Sequence, residues 1–570
     1  MKTILNKSLL IFSFLGILLN FGCVTEDDLF VQEQNTISEE NLEPEALVIA
    51  AYSALDYRYN TGDFRDLYPF DHAPSNWPTS DIRSGDAYKG GGGTGDNPGG
   101  GMHQLETHNL FPSSENVYNL WRAIYFGVKR VDTALRFLTA IEDGEFDERE
   151  TRIGELYVLR AHFYFEAMKN FGSIVWYDEN TPVTELKSIS NTFDEEFIWG
   201  KIEEDLNRAI DILPNSQEDL GRANAMVARA YLAKAHLFQE DWQEVISNTN
   251  MVINSGQYRL VEDIERLYSE PGYGNDENIF AIQFSIEDGS QYGNLNFGDL
   301  INSPDSPSDN PNHPYLNGDD FHKPSQNLAN AFKVNSNGLP MFNTFNSASL
   351  NEDDFVDPRL DHTIGRPGIT WKDWTAMPQQ PDWSRDPGTY GFLVRKKNMI
   401  YPTSDGMASN PNGFPWALGN LDFPLIKYSD LLLWKAEASI ELGNIADGME
   451  IINQIRLRAK NTSYVPDFEN PSQDAANYLI ETYPTSISED QAIQALRFER
   501  RLELANEGHR FFDLVRWGIA DSYIGEYIAG EQARRPYLSG ASLEPHEYYL
   551  PIPQIEIDAS GGVYTQRTGY

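Results

Sequence analysis

Five of the eleven tryptophans lie in stretches that have no helical pattern. A tryptophan ring offers a flat apolar face, and leaving such a ring in water is unfavourable unless a partner covers it. The C–H face of a sugar ring is one suitable partner, and the sugar hydroxyls then need Asn, Gln, Asp or Arg side chains nearby. The five loop tryptophans therefore indicate a stacking site for a ligand of this kind. They are Trp77, Trp371, Trp374, Trp383 and Trp416.

Polar residues that could form the rim of such a site surround the first of these rings. Asp71 and Asn76 precede Trp77, and Arg83 follows it. Two tyrosines flank a loop rich in Asn and Asp and are further candidates. The predicted ligand-binding residues are Asp71, Asn76, Trp77, Arg83, Tyr292, Tyr315, Trp371, Trp374 and Trp383. The alternative is that the loop tryptophans pin long loops onto the scaffold, because large aromatic residues often serve packing.

A second pattern is the row of acids Glu499, Glu503 and Glu507, which are four residues apart. Such residues stack along one side of a helix, where like charges repel by a few tenths of a kcal/mol per pair, so the row needs cations. Arg500 and Arg510 are close enough in sequence to supply them. We interpret the row as an ion network that locks the core rather than as a catalytic cluster, because structural ion networks are common.

Signals for catalysis and for metal binding are weak. The sequence has no His-Glu-x-x-His motif, no Gly-x-Ser-x-Gly motif and no cysteine cluster. Acidic pairs such as Asp319-Asp320 and Asp353-Asp354 lack the spacing of an EF-hand loop, so we interpret them as solvated charge. With 86 acidic residues, the carboxylate pair of a glycoside hydrolase is not excluded by counting. We predict no catalytic residues, no metal site and no cofactor.

The N-terminus reads as a secretory signal. Two lysines lie at the start, and the apolar run at residues 9–19 is too short to span a bilayer. Residues 1–22 are therefore predicted to be a signal peptide. Cys23, the only cysteine, is predicted to carry a lipid, although Asn20 departs from the aliphatic residue preferred there. The net charge of −42 argues against nucleic acid and anionic lipid as partners.

Helical periodicity dominates both ends of the chain. Helices are predicted at 44–59, 114–140, 148–170, 194–213, 222–239, 241–254, 428–442, 445–459 and 488–506. The hairpins 222–256 and 428–461 each have about the length of a tetratricopeptide repeat, roughly 34 residues. We predict a mainly α fold with a tetratricopeptide-like helical-hairpin scaffold and a large loop-rich, irregular second subregion.

Three local features refine this picture. Positions 90–101 hold eight glycines, which predicts a mobile loop. Arg160 lies on the apolar face of its predicted helix and needs a structural ion pair there. Gly508 fits a left-handed stop, and an aromatic-rich turn is expected to follow it.

Segments in order along the chain resemble sequence blocks of the SusD/RagB family of nutrient-binding outer-membrane lipoproteins. They are RAHFYF at 160–165 with NFG at 170–172, PSQNL at 324–328, DPRL at 357–360, FPLIKYSDLL at 423–432 with AEA at 436–438, NQIRLRA at 453–459, ERRLELANEGHRFFDLVRWG at 499–518 and YLPIPQ at 549–554. The match departs from the family pattern at Ile174-Val175, where the family usually has Val-Pro.

The resemblance implies a single domain at 23–570. Its helical scaffold would occupy about 40–284 and 424–520, its loop-rich ligand-binding part about 285–423, and a C-terminal extension 521–570. It also implies a lid over a TonB-dependent transporter of the SusC type, to which family members deliver oligosaccharides or sometimes peptides. The matched blocks are structural, so they assign no binding residue.

We therefore expect a lipid-anchored protein, exposed at the surface of the outer membrane, that binds oligosaccharide or polysaccharide and delivers it to a SusC-like transporter without being an enzyme. Three alternatives stay open. A peptide ligand would suit the acidity of the chain. An all-helical glycoside hydrolase would require two carboxyl groups roughly 5–9.5 Å apart across a cleft. A pure scaffold would bind no small ligand.

Overall fold

The computed structural model describes residues 43–57, 73–97, 100–142, 144–285, 300–305, 312–314, 316, 318–404, 407–408 and 418–570. The described residues from 47 to 570 form one compact unit. The predicted signal peptide lies outside the described residues. So do Cys23, Asp71, Tyr292, Tyr315 and Trp416.

Helices are the predominant regular structure of the described chain, and its strands are short, which confirms the prediction of a mainly α fold. The long helices are α1 (Pro44–Tyr52), α2 (Glu115–Ala140), α3 (Arg149–Phe171), α4 (Glu195–Ile212), α5 (Ala225–Phe238), α6 (Trp242–Asn254), α7 (Tyr428–Glu441), α8 (Ile445–Asn461), α9 (Glu489–Glu503), α10 (Arg510–Arg516) and α11 (Ala520–Glu531). Shorter helical segments lie at Asp81–Ser84, Gly101–Glu106, Ile264–Leu267, Gln326–Ala331, Arg359–Thr363, Pro387–Tyr390 and Gln554–Ala559.

Each of the nine predicted helices is present, with ends that differ by a few residues. The exceptions lie at the two ends of the scaffold. Helix α1 ends at Tyr52 and continues only as a 3-10 turn, and α9 ends at Glu503. The turn expected after Gly508 is wrong, because Arg510–Arg516 is helical and its Phe511 is buried. Gly508 itself has the expected left-handed conformation, with φ +77°.

The scaffold consists of helices that pack against their neighbours in sequence. Helices α3 and α4, α5 and α6, and α7 and α8 form three such pairs, and α6 also packs on α7. Large side chains from several helices fill the main core, because each helix buries one apolar face. Examples that are almost fully buried are Leu120, Phe163, Leu206, Tyr231 and Trp434.

Short strands connect distant parts of the chain. Strand β1 (Ala87–Gly90) pairs antiparallel with β3 (Phe321–Pro324), and β2 (Asn278–Ile282) pairs antiparallel with β4 (Phe423–Lys427). Two-residue strands form three further pairs: Phe355–Val356 with Asn477–Tyr478, Ile364–Gly365 with Val394–Arg395, and Met407–Ala408 with Leu418–Gly419. The pairing of β1 with β3 brings the glycine-rich segment beside the loop-rich part.

The row of Glu499, Glu503 and Glu507, which starts in α9 and ends four residues beyond it, forms an ion network in the core. Its contacts are Glu499–Arg359 (2.7 Å), Glu499–Arg456 (2.9 Å), Glu503–Arg359 (3.2 Å), Glu503–Arg458, Glu507–Lys397 and Glu507–Lys427 (2.7 Å). The expected partners are wrong. Arg500 pairs with Asp430 and Asp513 instead, and Arg510 donates to the carbonyl oxygen of Arg497.

Arg160 has the structural ion pairs that its position predicts. Its guanidinium contacts Asp205 at 2.7 Å, Asp132 at 3.1 Å and Glu179 at 2.5 Å. The pKa of Asp132 is raised to about 7 because burial outweighs the nearby guanidinium. Arg160 therefore ties α2, α3 and α4 together.

Candidate ligand-binding face

Three of the predicted stacking rings are buried. Trp77, Trp371 and Trp383 each have an exposed fraction of 0 %. Trp371 and Trp383 meet edge to face, with ring centroids 5.1 Å apart, in a small core that includes Val394. Trp77 stacks on His322 at 5.2 Å. The expectation that these three rings lie open for a ligand is wrong, because other side chains of the protein cover the rings.

Trp374 differs from the other described loop tryptophans because it is partly exposed. It packs against the Trp371–Trp383 core, and its indole Nε1–H donates to the carbonyl oxygen of Asn312 at 2.8 Å. That bond fixes the ring while part of its surface stays at the solvent boundary. Its role in binding stays a prediction.

Two predicted rim residues point into the protein. Asn76 is buried, and its Nδ2–H donates to Glu166 at 3.0 Å. Arg83 is also buried; its guanidinium lies 3.8 Å from the centre of the Phe511 ring and donates to the carbonyl oxygen of Glu547. Burial lowers the pKa of Arg83 to about 10. The expectation that these two side chains line a rim beside Trp77 is therefore wrong.

A group of charged residues that the sequence did not single out as a site lies on the loop-rich part. The Nη1 atom of Arg385 contacts Asp319 Oδ1 at 3.1 Å and Asp96 Oδ2 at 3.2 Å. The three side chains are 30 %, 24 % and 33 % exposed, respectively. We call them the Asp–Arg–Asp trio. Their carboxylate oxygens and guanidinium N–H groups can accept from and donate to ligand hydroxyls.

The position of Arg385 is set by a buried ion pair beneath it. Asp320 accepts from the backbone N–H of Arg385 at 3.0 Å and from the ammonium of Lys323 at 2.6 Å. Lys323 also donates to Ser384 Oγ at 2.9 Å. Burial raises the pKa of Asp320 to about 6. These bonds join strand β3 to the segment that carries Arg385, so the trio stands on ordered backbone.

The third member of the trio belongs to the glycine-rich loop, which Lys89 anchors from inside. The Lys89 ammonium is buried and donates to the carbonyl oxygens of Gly90 (3.0 Å), Gly93 (2.8 Å) and Asp96 (2.7 Å). Burial lowers the pKa of Lys89 to about 8. A side chain at Gly90 would place its Cβ 2.3 Å from the carbonyl oxygen of Asp320, so this position requires glycine. The mobility expected for the whole loop stays a prediction.

We define the loop face as the described residues within 90–97, 312–320 and 371–386. The indole N–H of Trp374 and that of Trp383 join the third segment to the second, and the trio joins all three. The face combines one partly exposed ring with charged hydrogen-bonding groups. This is the chemistry that a polyhydroxylated ligand requires.

Across the described ranges, no group of three or more His, Cys, Asp and Glu side chains is arranged to hold a metal ion. In the same part of the chain, none of the helices combines the length and the apolar character that crossing a membrane requires.

Comparisons with known proteins agree on one family. Residues 276–570 match the profile of the SusD family, and residues 100–237 match a profile described as "Starch-binding associating with outer membrane". SusD-like protein P38 of Formosa agariphila is 23 % identical over 538 residues, which cover 89 % of this chain and 92 % of that protein.

Solved structures have the same fold. A laminarin-binding SusD-like protein superposes with a TM-score of 0.66 at 22 % identity, covering 92 % of this chain and 99 % of that one. Surface glycan-binding protein A from Bacteroides thetaiotaomicron, solved in complex with laminarihexaose, gives a TM-score of 0.65 at 20 % identity and covers 92 % and 98 %. Because the family profile spans more than half of the sequence, this chain belongs to the SusD family.

Proposed function

We propose that this protein binds oligosaccharides at its loop face and delivers them to a SusC-like TonB-dependent transporter, while a lipid on Cys23 anchors it to the outer surface of the outer membrane. It acts as a binding protein and not as an enzyme. The observation that carries the proposal is the Asp–Arg–Asp trio, whose donors and acceptors face solvent on an ordered base. Similarity to a laminarin-binding SusD-like protein supports a carbohydrate ligand.

The geometry of the trio also bears on the alternative that the protein is a glycoside hydrolase. Asp96 and Asp319 both contact the same guanidinium nitrogen of Arg385. The guanidinium therefore fills the space between the two carboxylates, where a glycosidic bond would have to lie. A release assay for reducing ends, run on an array of polysaccharides, checks this; turnover there contradicts a purely binding role.

A peptide ligand is the second candidate, and calorimetry separates the two. Mature protein is titrated with a panel of oligosaccharides and with a peptide pool. We expect heat from at least one oligosaccharide, and heat from peptides alone contradicts the proposal. Arg385→Gln should then weaken binding at least tenfold, because a hydrogen bond to a charged group contributes about 1.5–3 kcal/mol. Arg259→Gln, which breaks another exposed Arg–Asp pair, is the matched control and should bind normally.

The anchor and the partner have separate tests. Cys23→Ser should release the protein from membranes, and unchanged membrane attachment contradicts the lipid anchor. Cross-linking in intact outer membranes followed by mass spectrometry should join this chain to a TonB-dependent transporter. If no such transporter is joined, while ligand binding persists, the delivery step is wrong and the binding role stands.

A further inference from the structure

A second ring cluster lies on the helical scaffold, away from the loop face. Phe197, in the first turn of α4, is 39 % exposed. Phe193 stacks on it with ring centroids 4.9 Å apart, and Trp176 meets it edge to face at 5.6 Å. Trp176, for which the sequence alone indicates no role, is partly exposed. Aromatic residues of this size normally bury themselves, so their grouping at the surface requires an explanation.

A shallow, largely open depression lies beside these rings, and we call it the groove. It is lined by Asp194, Glu196, Phe197, Gly200, Lys201 and Glu204. All six residues belong to α4 and its N-cap, so the groove is an exposed helix face rather than an enclosed cavity. A protein partner usually contacts about 20–30 residues on each side, so six lining residues suit a small ligand rather than a protein.

The charges of the groove narrow the class of ligand. Three carboxylates and one ammonium line it, which disfavours an anion. The ammonium of Lys201 disfavours a cationic ligand. Its Nζ lies 5.0 Å from the centre of the Trp176 ring and donates to Glu204 at 2.9 Å. The carboxylates of Asp194 and Glu196 accept no hydrogen bond from the described residues, so they can accept from ligand hydroxyls.

We propose that this groove is a second carbohydrate site, in which an oligosaccharide packs a C–H face on Phe197 and donates hydroxyl hydrogen bonds to Asp194 and Glu196. A neutral ligand with both an apolar face and many hydroxyls satisfies the rings and the free carboxylates together. This inference rests on the proposed function in one respect, namely that the protein meets carbohydrate. The site shares no residue with the loop face.

Two glycines provide a matched pair of variants. Gly200 is a helical residue whose added Cβ would meet no atom within 4 Å, and Gly525 in α11 is the same in both respects. Gly200→Leu places a bulky side chain between Phe197 and Glu204 on the groove, whereas Gly525→Leu places the same side chain on an unrelated helix surface. Leucine forms helices better than glycine, so both variants should fold. Phe197→Ala removes the ring itself.

Hydroxyl-radical footprinting with peptide mass spectrometry measures the exposure of the side chains. Mature wild-type protein and the three variants are mixed with laminarihexaose, maltohexaose, cellohexaose, xylohexaose or mannohexaose at millimolar concentration. Oxidation of Phe355, which is 44 % exposed elsewhere, corrects for radicals that the sugar consumes. We expect at least one sugar to lower oxidation of Phe197 and Trp176 about twofold or more, because a sugar that packs on Phe197 covers its exposed surface and the adjoining Trp176.

The outcomes separate this site from the loop face. Protection of Trp176 that Gly200→Leu and Phe197→Ala abolish, and that Gly525→Leu retains, supports the second site. Protection of Trp374 alone overturns the second site and leaves the proposed function intact. Protection that survives in Gly200→Leu also overturns it, because that side chain stands where the sugar would have to lie. If no sugar protects either region and calorimetry detects no binding, both proposals fail.

Discussion

Trp383 and Trp374 lie in the same small core, yet the structure predicts opposite effects for their removal. Trp383 is fully buried, meets Trp371 edge to face and donates its indole N–H to His313 at 3.2 Å. Trp383→Ala should therefore lower the free energy of unfolding by about 3–5 kcal/mol, the usual loss for a buried large aromatic residue. Trp374 is partly exposed, so Trp374→Ala should cost less stability.

Ligand binding should respond in the reverse sense. A stacked aromatic contact contributes roughly 0.5–1.5 kcal/mol, so Trp374→Ala should weaken oligosaccharide binding roughly two- to tenfold. Thermal unfolding reports the first effect, and calorimetry with the sugar that binds wild-type protein reports the second. A Trp383→Ala protein that melts normally but binds poorly would refute the assignment of Trp383 to packing. Full affinity in Trp374→Ala would refute the role of that ring.

Other predictions follow from the core and from the loop. Glu503→Gln should lower the free energy of unfolding by about 3–5 kcal/mol, because it leaves buried guanidinium groups without their partner. In wild-type protein those cations hold the pKa of Glu503 far below 4.5, so the difference in stability between the two proteins should shrink in acid. Gly508→Ala should abolish folding, since its Cβ would lie 1.6 Å from the carbonyl oxygen of Ser75, whereas Gly443→Ala, also left-handed but in open space, should cost only about 1–2 kcal/mol. Burial lowers the pKa of Lys89 from 10.5 to about 8 in the folded protein. Between pH 8 and 10.5, therefore, only the unfolded chain keeps the proton. As the pH rises through this window, the free energy of unfolding of wild-type protein should increase by up to about 3 kcal/mol relative to that of Lys89→Met.

Unfolding in denaturant at several pH values tests these expectations together. A Glu503→Gln protein as stable as wild type at neutral pH would mean that the network does not depend on that charge. A well-folded Gly508→Ala protein would show that the backbone near Ser75 can move. A constant difference between wild type and Lys89→Met across the alkaline range would show that the lysine titrates in the folded protein as it does in water.

The helical scaffold could be predicted from sequence because a helix shows its apolar periodicity within a short segment of the chain. Apolar residues recur every three to four positions in segments such as 194–213 and 488–506, and the structure has α4 and α9 there. Helix α10 was missed because it is only seven residues long and packs through aromatic side chains instead of showing a repeating pattern. The need for cations around the glutamate row could also be predicted from neighbouring residues alone, since like charges one turn apart repel.

The candidate site could not be predicted in the same way. A loop tryptophan looks the same in sequence whether a ligand or the protein covers it, and Trp371 and Trp383 are covered by residues such as Leu316 and Val394. The trio brings together an aspartate of the glycine-rich loop, an aspartate that the sequence indicates only as solvated charge, and an arginine with no predicted role. Nothing in the local sequence signals that these three meet.

From its sequence alone, this protein is determined to be a mainly helical member of the SusD family with a core that needs buried ion pairs. Those properties depend on residues a few positions apart or on blocks with a fixed order. Which rings face solvent, and which cations serve Glu499, Glu503 and Glu507, was decided only by the tertiary structure. The physical reason is that burial and pairing depend on segments that lie tens of residues to more than a hundred residues away in the chain, as Arg456 and Arg359 do from Glu499.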